Sequence, residues 1–290
     1  MRLDLFTVAS LLSLSLLSLI CSPASALQEK VASKDGATEP RVLNFPPDRS
    51  IGTLSIAPKP VGKCKFTFWY GFDGFKEIGL ARGEVKIPAD SVVRLELSVS
   101  ACENLEPLGS LPPDAIDLIY CGSGRIKGFE HLGKLTGLKS LCFRGCAIKD
   151  EDMAQLAGLK NLEFFDCSVY DYEGKGFGLT NKSAKVIGKF KKLRYLSLRA
   201  NPMSDEGFAD LEGCDQLEVL SLDGTKVTGK GLTSLYMFPK LEYLSFGAYQ
   251  KGAWIDDAGL DVLSDMKQLK DLSQWNQCYR RRDEACCQVN

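Results

Sequence analysis

Four stretches of the sequence fall on one spacing. "LKSLCFRGCAI" (138–148), "LKNLEFFDCSV" (159–169), "LRYLSLRANPM" (193–203) and "LEVLSLDGTKV" (217–227) all read L-x-x-L-x-[LF]-x-x-[NCT]-x-[hydrophobic]. Weaker copies begin at Val92, Ile116, Leu241 and Leu269, so residues 92–279 form about eight repeats. A unit this short cannot enclose a core by itself, and stacked neighbours must share one. The L-x-L centre of each unit reads as a short strand with its leucines inward, because alternate strand residues face opposite sides. The [NCT] position turns the chain and offers a side chain to free backbone groups between rungs. Segments such as "DEGFADLEG" that follow read as helices or helical turns, with Asp or Thr near the start as a cap. The expected fold class is an α/β solenoid whose parallel sheet lines the concave side.

Spacing also locates interruptions. From the end of one pattern to the first leucine of the next the step is 14 residues from Met203 to Leu217 and from Val227 to Leu241, and the same 14 separates Leu179 from Leu193. The repeat from Leu159 to Leu193 runs 34 residues where the two that follow run 24, which places ten extra residues between Cys167 and Leu179. The repeat from Leu241 to Leu269 carries four extra at the same phase, in "YQKGAW" (249–254). The first insertion offers Tyr170, Tyr172 and Phe177, the second Tyr249 and Trp254. Insertions in repeat arrays gather on one face, often the binding face, and Tyr and Trp dominate interface hot spots. These rings therefore either rim one shared site or fold back to cap the sheet edge.

"VTGKGLTSL" (227–235), "MSDEGFADL" (203–211) and "IDDAGLDVL" (255–263) resemble the I-T-D-x-G-L signature of the cysteine-containing and GALA-type leucine-rich repeats. The match covers about two thirds of the chain. The sequence also resembles the exported leucine-rich-repeat proteins abundant in planctomycete bacteria. The resemblance implies a horseshoe that binds a partner instead of catalysing a reaction. Substrate-recognition subunits of ubiquitin ligases carry such repeats too, and supply an intracellular alternative. Against that alternative stand the leader described below and the lack of an F-box-like helical segment before the repeats.

The third, fifth and seventh positions of L-x-x-L-x-L-x point away from the core and line the concave face. Read off the pattern, the candidate contact residues there are Arg144, Glu163, Phe165, Tyr195, Arg199, Asp223 and Tyr243, around serines at 197, 221 and 245. A small, polar, mixed-charge floor suits a protein, peptide or glycan better than a buried small molecule; its bland alternative is an ordinary solvated sheet.

Outside the repeats, residues 1–26 read as a signal peptide. Arg2 precedes the apolar run 5–20, and "ASA" at 24–26 matches a small-x-small cleavage site. An acylated Cys21 or a retained anchor are the alternatives, the first disfavoured by Ile20 and the second by a run of sixteen residues. Residues 27–40 read as a flexible leader, 41–91 as a β-rich N-terminal cap, and 280–290 as a polar, cysteine-containing tail. The cluster Phe66, Phe68, Trp69, Tyr70, Phe72 and Phe75 is either a carbohydrate platform or the core of that cap. Cys102, Cys121, Cys146, Cys167 and Cys214 occupy pattern positions and are expected as buried thiols, while Cys142 should face the concave side. Cys64, Cys278, Cys286 and Cys287 lie outside the pattern, and Cys278 could close the C-terminal end with Cys286 or Cys287.

Catalytic chemistry finds little footing. A net charge of −1 leaves no basic footprint for nucleic acid, and the lone histidine, His131, expected on an exposed convex segment, removes most metal and histidine-driven sites. "GTKVTGKG" (224–231) puts Gly231 where a phosphate loop needs Ser or Thr, and "GKGFG" (174–178) lacks dinucleotide-loop spacing. "DYEG" (171–174) is too short for an EF-hand loop. The expectation is an exported, non-enzymatic binding protein without cofactor or metal.

Overall fold

The computed structural model describes residues 39–59, 74–122, 124–169, 178–247 and 257–273. A ten-stranded sheet runs through them. Eight of its strands pair in parallel, from Ser91–Leu97 through Leu118–Tyr120, Ser140–Cys142, Phe164–Asp166, Tyr195–Ser197, Val219–Ser221 and Tyr243–Ser245 to Asp271–Ser273. At the N-terminal side Gly52–Pro58 and Lys76–Leu80 extend the sheet antiparallel, and Arg41–Asn44 pairs with Glu84–Ile87 beside it. Each rung returns to the next strand through a short helical segment, such as Asp150–Gln155, Asn181–Ile187 or Asp205–Ala209.

The inward side chains stack into a ladder. Leu95, Ile119, Leu141, Phe165, Leu196, Leu220 and Leu244 are successive partners in the register and all lie in one buried cluster. Leu272 ends the row and is 42% exposed. A second ladder runs behind it through Phe143, Cys167, Leu198, Leu222 and Phe246, each of whose backbone N–H donates to the neighbouring strand.

This register corrects the phase expected for one repeat. Phe165 pairs with Leu141 and Leu196, so Leu162 is the counterpart of Leu138 and Leu193. Leu159 falls one step earlier and is buried as well. The pattern L-x-x-L-x-F fits either phase of "LKNLEFFD"; only the chosen one puts Phe165 and Cys167 in the core and Asp166 out of it. Counted on paired residues, the long repeat spans 196 − 165 = 31 residues against 220 − 196 = 24, an insertion of seven instead of ten. The repeat with four extra residues keeps its length, 272 − 244 = 28.

Beyond each strand the chain turns through a left-handed residue: Gly145 (φ 76°), Ala200 (φ 59°) and Gly224 (φ 69°). Glycine adopts that conformation without penalty and alanine does not. The next residue bonds to free backbone groups where it is polar. Asn201, fully buried, accepts from the Leu179 N–H at 2.7 Å and donates to the Cys167 and Leu198 carbonyls at 3.0 Å each. Thr225 donates to the Leu222 carbonyl at 2.7 Å. The expected inter-rung role of this position is thus carried by Asn201, whereas Thr225 bonds within its own turn.

The acidic residues at the helix starts act across repeats. Asp150 accepts from the backbone N–H and hydroxyl of Thr180 and from the Ser183 hydroxyl. Asp205 receives the Thr228 N–H and hydroxyl at 2.8 Å each, and the Asn181 carbonyl oxygen accepts from the Ser204 N–H at 2.9 Å. Thr180 also caps its own helix by accepting from Lys182 N. The I-T-D-like signature is therefore a chain of bonds from one helix start to the next.

Two expectations about single residues change. Cys102 and Cys121 are joined as a disulfide instead of lying as separate thiols; adjacent rungs bring their pattern positions together. Cys146, Cys167 and Cys214 are buried free thiols as expected, and burial pushes Cys146 and Cys214 up to about 12. His131 is not freely exposed. Its side chain is 24% accessible, and its Nδ1 is buried without a hydrogen-bond partner.

Candidate binding face

Outward positions of consecutive strands form two rows on the face of the sheet turned away from the core. The first holds Ser140, Phe164, Tyr195, Val219 and Tyr243; the second holds Cys142, Asp166, Ser197, Ser221 and Ser245. Phe164 and Tyr195 stack nearly parallel, with centroids 4.1 Å apart, and pack with Cys142 and Val219 into a small apolar cluster separate from the core. Desolvation in this cluster raises the Tyr195 phenol above its ordinary range and pushes the Cys142 thiol up to about 12. Aromatic pairs in this geometry hold each other in place. Tyr243, one rung beyond Val219, is 38% exposed and carries the ring surface outward.

A polar network crosses the second row. The Arg144 guanidinium donates to Asp166 Oδ2 through Nε at 3.1 Å and Nη2 at 2.6 Å. The Ser168 N–H and hydroxyl donate to Asp166 Oδ1, and the Ser168 and Ser197 hydroxyls meet at 2.7 Å. Burial works against the Arg144 charge, and the facing Asp166 carboxylate overcomes it, raising the guanidinium above its ordinary value. Two rungs on, Ser221 and Ser245 both donate to Asp223 Oδ2, and Asp223 Oδ1 is buried without a hydrogen bond. Desolvation raises the Asp223 carboxyl, with the Ser245 hydroxyl, the Arg199 charge and the Ser221 hydroxyl pulling the other way.

Of the residues expected on this face, Arg144, Tyr195, Arg199, Asp223 and Tyr243 stand at the positions the pattern assigned, Arg199 half-buried. Phe165 does not. It is fully buried in the core, edge-on to Phe143 and Phe190. Glu163 does not either; it precedes its strand and belongs to a charged row along the strand starts. That row contains the ion pairs Lys139–Asp117, Arg194–Glu218 and Lys270–Glu242, at 3.1, 2.7 and 2.8 Å. In place of Phe165 and Glu163 this outward face receives Phe164, Asp166 and Ser168, which the three-residue phase difference had hidden. Tyr170, Tyr172, Phe177, Tyr249 and Trp254 lie outside the described residues, as do Cys64, Cys278, Cys286 and Cys287. Phe75 is the one member of its aromatic cluster within them, with Arg94 over its ring at 5.0 Å.

Among the described residues no group of three or more His, Cys, Asp or Glu is placed to hold a metal ion, and no helix is long and apolar enough to cross a membrane.

Compared with family models and with curated proteins, the chain matches none. Solved structures similar to it include internalin C2 from Listeria monocytogenes, at 16% identity and a TM-score of 0.44, covering 63% of this chain and 80% of that one. Another is the leucine-rich-repeat ectodomain of the receptor kinase SOBIR1 from Arabidopsis thaliana, at 16% identity and 0.29, covering 52% and 66%. A third is the ectodomain of GASSHO1/SCHENGEN3 from the same plant, solved in complex with CASPARIAN STRIP INTEGRITY FACTOR 2, at 18% identity and 0.32, covering 56% of this chain and 20% of that one. The fold of the present chain is of leucine-rich-repeat type, and its own repeat pattern and strand register carry that assignment.

Proposed function

We propose that the protein is an exported, non-enzymatic binding scaffold that recognises a protein or peptide through the concave sheet, with a glycan as the other partner class. The observation that carries this reading is the fixed arrangement of Phe164, Tyr195, Arg144 and Asp166 on the outward rows. Side chains already held by stacking and by charge-assisted bonds lose little freedom on association. Residues 1–26 serve as the export signal in this reading, and 41–91 cover the open end of a solenoid over 92–279.

The test is affinity capture from the native envelope fraction by the full chain and by Tyr243→Ala/Arg199→Ala, with melting temperatures measured for both. Capture of a partner that the folded variant no longer retains supports the concave face. Equal capture by both, recovery of the native protein from the cytoplasm, or turnover of a substrate by the purified protein overturns the reading.

A further inference from the structure

A second surface lies along the starts of the strands. Before each strand, four residues ahead of its inward core residue (Phe165, Leu196, Leu220 and Leu244), successive repeats place Asn161, Lys192, Gln216 and Lys240 in one row. Lys192 donates to the Asn161 side-chain carbonyl at 2.7 Å, and Lys240 donates to that of Gln216. Both partners are neutral amides, so the hydrogen bonds orient the ammonium groups without cancelling their charge. Arg194 is spent on Glu218 through two parallel bonds, at 2.8 and 2.7 Å. Between these rows opens a groove of about 540 Å³, lined by Lys191, Lys192, Arg194 and Lys240 together with Glu163, Glu218 and Gln216. Four cations against two carboxylates leave it net positive in a chain whose formal charge is −1.

We infer that this groove docks an acidic segment of a polypeptide, as a site separate from the concave face. Lys192 and Lys240 hold the same repeat position two rungs apart, which sets them about 10 Å apart along the sheet. An extended polyproline-type chain repeats the same face every third residue, about 9 Å. Carboxylates spaced three residues apart therefore meet successive lysines. The interspersed Glu163 and Glu218 carboxylates favour a peptide over a polysulfated glycan. A peptide brings an N–H donor at every residue with one carboxylate in three, whereas a polysulfate is more densely anionic and is repelled more strongly.

The test uses the full chain and a fluorescent peptide of repeated Glu-Ser-Gly triplets, with a Gln-Ser-Gly peptide as its neutral match, read by fluorescence anisotropy. The glutamate peptide is expected to bind, and the glutamine peptide is not. Lys192→Gln/Lys240→Gln should weaken binding about tenfold, as should raising the ionic strength, while Tyr243→Ala leaves it unchanged. No binding of the glutamate peptide, or equal binding by the double variant, overturns the inference. Binding of a sulfated oligosaccharide through the same lysines, where the peptide does not bind, overturns it in favour of a glycan surface. Loss of the peptide in Tyr243→Ala instead moves it to the concave face, ending the groove inference and leaving the proposed function standing.

Discussion

Replacing Asn201 by alanine isolates what one side chain contributes to joining two rungs. The amide is fully buried and closes bonds to Leu179, Cys167 and Leu198, with a longer one to the Arg199 carbonyl at 3.3 Å. The Leu198 carbonyl keeps a partner in the variant, because the backbone N–H of residue 201 donates to it at 3.0 Å. The Leu179 N–H and the Cys167 carbonyl lose theirs. Each stranded buried group costs about 1–3 kcal/mol, so Asn201→Ala should destabilise by about 3–4 kcal/mol. Asn201→Thr should fall between, since the threonine of the next rung bonds only within its own turn. Asn161→Ala, which removes exposed bonds to Thr136 and Lys192, should cost under about 1 kcal/mol. Urea unfolding followed by circular dichroism gives the differences, and hydrogen exchange at the Leu179 amide reports the joint itself. A loss below about 1 kcal/mol for Asn201→Ala, with Leu179 still protected, would refute the reasoning.

Other consequences follow from single features. Ala200→Gly should raise stability by about 0.5–1 kcal/mol, because alanine is strained at φ 59° and the gain exceeds the added freedom of the unfolded chain; a lower urea midpoint would contradict this. Reducing the Cys102–Cys121 bond, which spans a sequence separation of 19, should cost about 3 kcal/mol, and non-reducing peptide mapping should recover the two cysteines in one linked fragment. Phe165→Ala should cost about 3–5 kcal/mol, as expected of a ring inside the core; a near-neutral effect would restore the other phase of its repeat. Although partial burial opposes it, the Ser183 and Thr180 bonds hold the Asp150 carboxyl below its ordinary value. A carboxyl depressed in the folded state stabilises above its unfolded value and ceases to do so as pH falls through the folded one. Wild-type stability should therefore decline below about pH 4, and Asp150→Asn should flatten that part of the profile.

The sheet was legible because leucine spacing and strand geometry impose the same period, and an inward leucine at every rung has no alternative place to go. One repeat was misread because "LKNLEFFD" holds two leucines three apart and two adjacent phenylalanines, so two phases satisfy one pattern. The backbone bonds between rungs decide between them, and these leave no mark on side-chain identity. That single slip displaced the site as well: Asp166, which anchors Arg144, sat in the pattern as a residue of no assigned role. The Cys102–Cys121 pair was hidden for a related reason, since both cysteines fit core positions equally well as thiols. Asp205 was recognised within a signature stretch, yet its partner lies one repeat away and only stacking reveals it. The lysine groove has no contiguous motif. It assembles from one residue per repeat.

Site-specific photo-crosslinking tests the central claim most directly. A photoreactive phenylalanine analogue placed at Tyr243 samples the outward face of the sheet, and one at Tyr236, 57% exposed on the helical side, samples the other. With each protein returned to its native envelope fraction, a specific adduct is expected from position 243 and none from position 236. Adducts at 236 alone, or at neither position, would contradict a concave binding face.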